Sequence, residues 1–424
     1  MAGTAISDDL TVASAFSTRS TQPAPRTLAE VLAPLSAEEF LQRHWGKSYH
    51  YVPGCVGKFA SLLPWSGLNQ LLTHHQLDAP RLRLVRDGKP LPAESFLSYH
   101  ANRRNPASRL TRLRSVELTR QLQEGATLIL DAVDELYEPV SELAEQLERS
   151  LRTRVQINLY AGWRTSPGFD VHWDGHDVLI LQVHGRKLWK VYPMTREHPI
   201  QGDPKDEKPP QEPLWEGMLE SGDLLYIPRG WWHVAVPVDE PTLHLTVGLH
   251  RPTGLDFVSW YAERLRSQAV IRENLPAIGT ESDKAAHLQR LREAWEQSWT
   301  PGLLDEFCDY LDSQARSRPQ LGLPWTAQAS VLPSSGVAWS LRWLVPHQIG
   351  TGNPGAVIVR GNGKEWTFAA EARPVLEKLQ TNGACTHEEL EESAASALTR
   401  EQLRLFLQEL VQAGLACVVV NERQ

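Results

Sequence analysis

No two of the four cysteines stand close enough to form a CxxC pair: Cys55, Cys308, Cys385 and Cys417 are scattered over 424 residues. That excludes a disulfide scaffold and a cysteine zinc knuckle, and it fits reduced thiols in a cytoplasmic protein. Long apolar runs are missing too, and no stretch approaches the roughly 18 residues of a membrane span. Basic charge is not in excess: 43 Lys and Arg face 51 Asp and Glu, a net charge of −8. That balance argues against general nucleic-acid binding, which favours a basic surface. Residues 1–26 are rich in Ser, Thr and Ala but lack a basic start followed by an apolar block. A disordered tail is expected there, not a secretory signal.

What is present is a globular composition, 41% hydrophobic and 22% charged, over a length that suggests roughly two or three domains. Ser36 and Glu39 read as a capping box whose helix buries Phe40 and Leu41. Pro64 to His74 reads as a short helix, and the run from Arg81 ending at Asp87-Gly88 as a hairpin. The arginines 103, 104, 109, 112 and 114 read as a solvated face of a loop or helix, with a contact for an acidic partner as the sharper alternative. Pro139 opens a helix with Val140, Leu143, Ala144 and Leu147 on one stripe. Short apolar runs then recur at 155–160, 178–183, 188–192, 224–227, 234–236 and 243–249, a spacing that favours an antiparallel barrel or sandwich. The Pro-rich, charged stretch 202–213 reads as a loop over one mouth of that barrel.

After about Arg251 the pattern becomes helical to Arg316, divided by Pro276 and Pro301, with Leu288, Leu291, Trp295, Leu303, Leu304, Phe307 and Leu311 as apolar positions. From about residue 326 a third unit is expected. It has a hairpin around Asn362-Gly363, a helix over 373–381, and capping boxes at Thr386/Glu389 and Thr399/Gln402. A last helix closes at Gly414 before the strand LACVVV. That order makes a winged helix plausible, but its acidic balance is a poor match to phosphate.

Two motifs carry chemistry. His172 and Asp174 stand two apart, so on an extended strand they face the same way and converge. The second motif runs from Gly222 through Pro228 and Gly230 to His233. Two histidines and one carboxylate form the ligand set of a non-haem iron site with open positions. Asn158 and Tyr160 share a strand face, as do His244 and Thr246, and both pairs read either as cosubstrate contacts or as satisfied structural hydrogen bonds. His176 and His184 are read as non-ligands, and at least one of Trp231 and Trp232 as core.

The segments NLY at 158–160, HWD at 172–174, DVLILQVHGRKLWKVY at 177–192, GDLLYIPRGWWH at 222–233 and HLT at 244–246 resemble a known family. They are similar to the JmjC-type, cupin-like iron and 2-oxoglutarate oxygenases, and within them to the ribosomal-oxygenase subgroup. The resemblance implies a mainly β plus α fold: a double-stranded β-helix (jelly-roll, cupin) barrel, a helical dimerisation segment and a C-terminal winged-helix domain. The corresponding bounds are a tail over 1–26, the barrel with its N-terminal helices over 27–252, the helical region over 253–325 and the winged-helix unit over 326–424. It further implies His172, Asp174 and His233 as ligands of Fe(II), with 2-oxoglutarate and O2 as cosubstrates. It places Lys187 on the distal carboxylate of 2-oxoglutarate, with the neighbouring Arg186 as the rival, and Asn158, Tyr160 and Thr246 nearby. The activity implied is hydroxylation of a side-chain carbon of a protein or peptide, an Arg or His of a ribosomal protein, by a homodimer. Alternatives are a hydroxylase of a peptide natural product or amino acid, a non-catalytic JmjC-like binding protein, and a cupin isomerase or hydrolase that would have no use for Lys187.

Overall fold

The computed structural model describes residues 23–101, 109–165, 168–200, 202–204, 207–334, 336–346, 349–351 and 355–420. Most of the expected tail (1–22), Arg103 and Arg104 of the arginine cluster, and positions 201, 205 and 206 by the Pro-rich loop lie outside these residues. The chain divides into two compact units. One is formed by residues up to Ser150 together with Val155–His250, the other by Leu151–Arg154 together with residues from Arg251 on.

The first unit carries the strands β1 (His50–Val52), β2 (Leu82–Arg86), β3 (Lys89–Pro90), β4 (Leu97–Ala101), β5 (Arg109–Leu113), β6 (Thr127–Leu130), β7 (Arg154–Gly162), β8 (Asp177–His184), β9 (Lys187–Tyr192), β10 (Trp215–Leu219), β11 (Leu224–Ile227), β12 (Trp232–Pro237) and β13 (Thr242–His250). An eight-stranded sheet runs β1-β11-β8-β13-β7-β6-β2-β3, and a three-stranded sheet runs β10-β9-β12. Val178 and Ile180 of β8 and Leu225 and Ile227 of β11 pack with Trp189 and Val191 of β9 and Leu219 of β10, so the two sheets share one core. This agrees with the antiparallel architecture expected from short, punctuated strands. In β7 the period of two is plain: Val155, Ile157, Leu159 and Ala161 are buried, while Gln156, Asn158 and Tyr160 are half-buried on the other face.

The loop before β11 is where backbone closeness matters most. Gly222 has φ +102, and a Cβ there would lie 1.9 Å from the carbonyl oxygen of Cys55. Asp223 ties the same corner, accepting from the Gly54 N–H at 2.8 Å and from the Tyr51 hydroxyl at 2.9 Å. Gly222→Ala combines a left-handed backbone with a clash against rigid backbone, and is expected to cost on the order of 3 kcal/mol. Urea unfolding should show this as a lower midpoint at unchanged slope.

Several local expectations are corrected. Phe40 is buried but Leu41 is 39% exposed: the helix after Ser36 gives way at once to a π-helical turn, Phe40–His44, whose i→i+5 winding, with more residues per turn, breaks the spacing expected of an α-helix. Arg109–Leu113 is a strand paired with β4, not a helix or loop. β10 was not foreseen. It forms only by pairing along β9, where Gly217 faces Trp189.

In the second unit the helices Gly254–Arg264, Glu281–Ser298 and Leu303–Gln314 gather Tyr261, Leu265 and Leu303 with Phe257, Trp260 and Trp295. Leu288 and Leu304, expected on the apolar stripe, are instead 65% and 62% exposed. Further along stand β14 (Trp339–Trp343), β15 (Gly350–Thr351), β16 (Ala356–Gly361), β17 (Lys364–Ala369), β18 (Ala384–Thr386) and β19 (Ala416–Val420), in two small sheets, β18-β14-β19 and β15-β16-β17. The helices Arg373–Asn382, His387–Ala394 and Arg400–Gln412 bury Leu376, Leu390 and Leu407 in one core with Leu341 and Trp343 of β14. The capping boxes Thr386/Glu389 and Thr399/Gln402 are both closed. Among the described residues no helix is long and apolar enough to cross a membrane.

Candidate metal centre

His172 and His233 come together through their backbones before their side chains. The His172 N–H donates to the His233 carbonyl at 3.1 Å and the His233 N–H donates back at 2.8 Å, a single antiparallel bridge joining two segments distant in sequence. Residues paired this way project to the same side, and the two imidazole centroids lie 4.5 Å apart. Asp174 follows two residues after His172, and the Gly230 N–H holds its carbonyl at 3.0 Å. One ligand atom from each of His172, Asp174 and His233 lies within 4.8 Å of the others. Among the described residues this is the one such group of metal-ligating side chains.

The hydrogen bonds behind the imidazoles decide which nitrogens face inward. His172 Nδ1 lies 2.9 Å from the Asp170 carbonyl, and His233 Nδ1 lies 3.0 Å from the Trp231 carbonyl. A carbonyl oxygen can only accept, so each Nδ1 carries a proton, and each Nε2 is the nitrogen left to face a metal. This carbonyl-to-imidazole arrangement is the usual support of a metal-bound histidine. Burial works against the charged form of Asp174, but His233, His172 and His176 around it outweigh that and hold its carboxyl well below the usual range. Its Oδ2 sits 3.5 Å from His233 Nε2. Two imidazole lone pairs and a carboxylate, with open solvent reduced around them, are a fitting donor set for a divalent transition metal.

Lys187 and Arg186 separate cleanly in the structure. Arg186 is exposed and grips Glu240 through two nitrogens at 3.2 and 3.0 Å. Lys187 alternates inward with Trp189 and Val191 and is 3% exposed. Val191 is the register partner of His233 and Lys187 that of Pro237, so the lysine lies on the ligand face, four residues along the strand, or about 13 Å. Among the described residues no acidic group pairs with it, and burial alone pulls its amine down to about 7. A buried cation without a partner is costly, and its surroundings suit an incoming anion.

Around Lys187 the interior holds further unanswered polar atoms. Trp189 Nε1, His244 Nδ1 and Gln182 Oε1 are buried with no hydrogen-bond partner among the described residues. His244 is stacked flat on Tyr160 at 5.0 Å and set edge-on to Trp189 at 5.4 Å; burial first, and the Lys187 charge second, keep it neutral. The Tyr160 phenol is pushed up by burial and by the charge of Asp174. Asn158 uses its Oδ1 on the Ala132 N–H at 2.9 Å and on Gln156 at 3.2 Å, so part of its polarity has a structural role. Thr246 is half-buried opposite Ile180, on the same strand face as His244. Of the unanswered atoms, the Trp189 N–H can donate to an anion beside Lys187, while Gln182 Oε1 can only accept from a donor.

His176 and His184 are not part of the ligand cluster. His176 stacks on His250 at 4.5 Å, in room left by Gly248. His184 stacks on Trp65 at 5.6 Å. Trp232 is buried and Trp231 half-buried. Sequence reasoning missed Gln182 and Trp189; the inward alternation of β8 and β9 was the signal that could have found them.

Residues 134–257 match the JmjC domain family. Among curated proteins the chain is 28% identical over 245 residues to the bifunctional lysine-specific demethylase and histidyl-hydroxylase NO66 of Drosophila persimilis, covering 53% of this chain and 32% of that one. It is 29% identical over 259 residues to ribosomal oxygenase 1 of Rattus norvegicus, covering 59% of this chain and 41% of that one. These matches therefore span less than half of the relatives' own length. Among solved structures, YcfD, a ribosomal oxygenase from Escherichia coli, has a TM-score of 0.56 at 21% identity, over 91% of this chain and 98% of that one. A structure of YcfD in complex with cobalt and 2-oxoglutarate has a TM-score of 0.53 at 22% identity. Likeness at this level shows a shared fold.

Proposed function

From the premise that this is a JmjC domain protein related to the ribosomal oxygenases, we propose that it is an Fe(II)- and 2-oxoglutarate-dependent oxygenase. Its substrate in this reading is a side-chain carbon of a protein or peptide, an Arg or His of a ribosomal protein. The observation that carries the proposal is the pairing of the His172, Asp174 and His233 donor set with a buried Lys187 on the same sheet face that has no acidic partner among the described residues. A metal site alone would fit many cupin-like activities; the added buried cation calls for an acidic cosubstrate. That the relatives include ribosomal oxygenases, one of them solved with cobalt and 2-oxoglutarate, supports the assignment.

In this reading His172 Nε2, His233 Nε2 and the Asp174 carboxylate hold the iron. With 2-oxoglutarate, the bound iron supplies oxygen activation for hydroxylation of an unactivated C–H bond. Lys187 holds the distal carboxylate of 2-oxoglutarate by a charge-assisted hydrogen bond. Asn158, Tyr160 and Thr246 line the cosubstrate's other side, and the rings of Tyr160, Trp189 and His244 keep water out. The two sheets close as a double-stranded β-helix. Residues 253–325 act as a dimerisation region, 326–424 as a winged-helix-like unit that packs and does not bind DNA, and the homodimer works in the cytoplasm with its free thiols reduced.

Purified protein supplied with Fe(II) and oxygen is expected to convert 2-oxoglutarate to succinate, and to add one oxygen atom to a ribosomal-protein peptide by mass spectrometry. Absence of both iron-dependent turnover and 2-oxoglutarate binding would overturn the proposal.

A further inference from the structure

Each segment that carries a candidate ligand also carries a tryptophan that alternates away from the ligand side chains. Trp173 stands between His172 and Asp174, and Trp232 immediately precedes His233. Both are buried, and with Tyr192 and Val234 they form one small apolar block on the side of the three-stranded sheet opposite the ligands. Tyr192 is the register partner of Trp232, as Val191 is of His233, so the block backs the ligand pair one residue out of phase. Besides the His172–His233 backbone bridge and the contact of their imidazoles, the block is a further place where the two ligand segments meet.

A polar contact reaches this block from the segment after β9. The Trp232 Nε1–H donates to the Thr195 hydroxyl at 3.0 Å. That hydroxyl has a single proton, and Thr195 gives it to Glu207, which leaves an oxygen lone pair for the indole. Glu207 is held in turn by Arg196 through two nitrogens at 2.8 and 2.7 Å, and Arg196 also lies 3.5 Å from Asp203. The same stretch makes a second contact beside the site. Pro199 packs against Gly230, where a Cβ would come within 2.6 Å of the proline ring, and Gly230 is the residue that holds the Asp174 carbonyl.

We infer that Thr195 is a positioning residue for the metal centre: by fixing the Trp232 indole it locks the Trp173–Trp232 block, and so sets the relative placement of His233 against His172 and Asp174. The ion pairs of Arg196 orient the Thr195 hydroxyl and do not touch the site directly. This rests on the metal-site reading above and adds to it the support that comes from the segment after β9. Groups bonded directly to the ligands typically contribute about 10- to 100-fold to metal affinity; this chain runs from a half-buried ion pair to the neighbour of a ligand, so the low end of that range is expected.

The test uses the full-length protein and Co(II) alone as the probe, read by calorimetry and by the visible absorption of the bound ion. Thr195→Val keeps the side-chain shape but cannot accept from the indole. It is expected to weaken Co(II) binding about tenfold and to alter the visible band. Thr195→Ser restores the hydroxyl and is expected to return both affinity and spectrum to the wild-type values. Glu207→Ala leaves the hydroxyl in place but free to turn, and is expected to lose about threefold; because it leaves Thr195 and the tryptophan block untouched, it tests the same link should the valine variant fold poorly. Wild-type binding of Co(II) with affinity and spectrum unmoved in Thr195→Val and Glu207→Ala would overturn this inference alone. A wild-type protein that binds no Co(II) would overturn the metal-site reading and this inference with it.

Discussion

Asp174→Ala is expected to lower iron-dependent conversion of 2-oxoglutarate to succinate by at least about 100-fold and to weaken divalent-metal binding by a similar factor, since a first-sphere ligand should matter no less than the supports behind it. Among the described residues Asp174 supplies the sole carboxylate of the triad. Without it two neutral imidazoles remain, with no charge to offset the ion. The Gly230 N–H to Asp174 carbonyl bond is a backbone contact and survives the substitution, as does the His172–His233 bridge. The variant should therefore keep its near-ultraviolet circular dichroism while losing both calorimetric metal binding and succinate. Asp174→Asn separates charge from shape: it keeps one oxygen donor and should fall between the two. Retained turnover in Asp174→Ala would mean that the reaction runs elsewhere.

The triad was legible because its local parts are each short and punctuated. His172 and Asp174 face one way on any extended segment, and the glycines of the second motif mark a tight turn into His233. The pairing that brings the halves together is a backbone bridge between residues 61 positions apart, which no local pattern encodes. Helix boundaries with reciprocal caps were legible for the same local reason, as at Thr386/Glu389 and Thr399/Gln402. The choice between Arg186 and Lys187 was not. Alternation required that one of them face inward, and what distinguishes them is Glu240, across the turn, which takes Arg186 outward. β10 escaped because Trp215–Leu219 lacks a β-branched residue; its pairing with β9 supplies what its own propensity does not. Leu41, Leu288 and Leu304 show the converse, apolar residues at helical spacing that the structure leaves exposed. The Thr195–Trp232 bond, 37 residues apart, has no sequence signature at all.

Lys187→Met should move two measurements in opposite directions. The amine is buried without an acidic partner among the described residues, and burial brings it from 10.5 to about 7. Each pKa unit corresponds to about 1.4 kcal/mol, so replacing the amine by an apolar side chain of similar length should stabilise the protein in the absence of cosubstrate. The sign follows from proton counts. Between about pH 7 and 10.5 the unfolded chain holds the proton and the folded chain does not, so wild-type stability gains from this residue as pH rises through that window. Below pH 7 both states are protonated and the buried charge costs most. The melting-temperature advantage of Lys187→Met should accordingly be largest near pH 6 and shrink towards pH 10. Affinity for 2-oxoglutarate should fall by about 10- to 100-fold, the loss of one charge-assisted hydrogen bond of about 1.5–3 kcal/mol. In the wild type the cosubstrate's carboxylate favours the protonated amine, so binding at pH 8 should take up a proton, visible as a dependence of calorimetric heat on the buffer's ionisation enthalpy. A methionine variant that binds 2-oxoglutarate as tightly as the wild type, with the same proton uptake, would remove Lys187 from the cosubstrate site and leave its burial to be explained by packing alone.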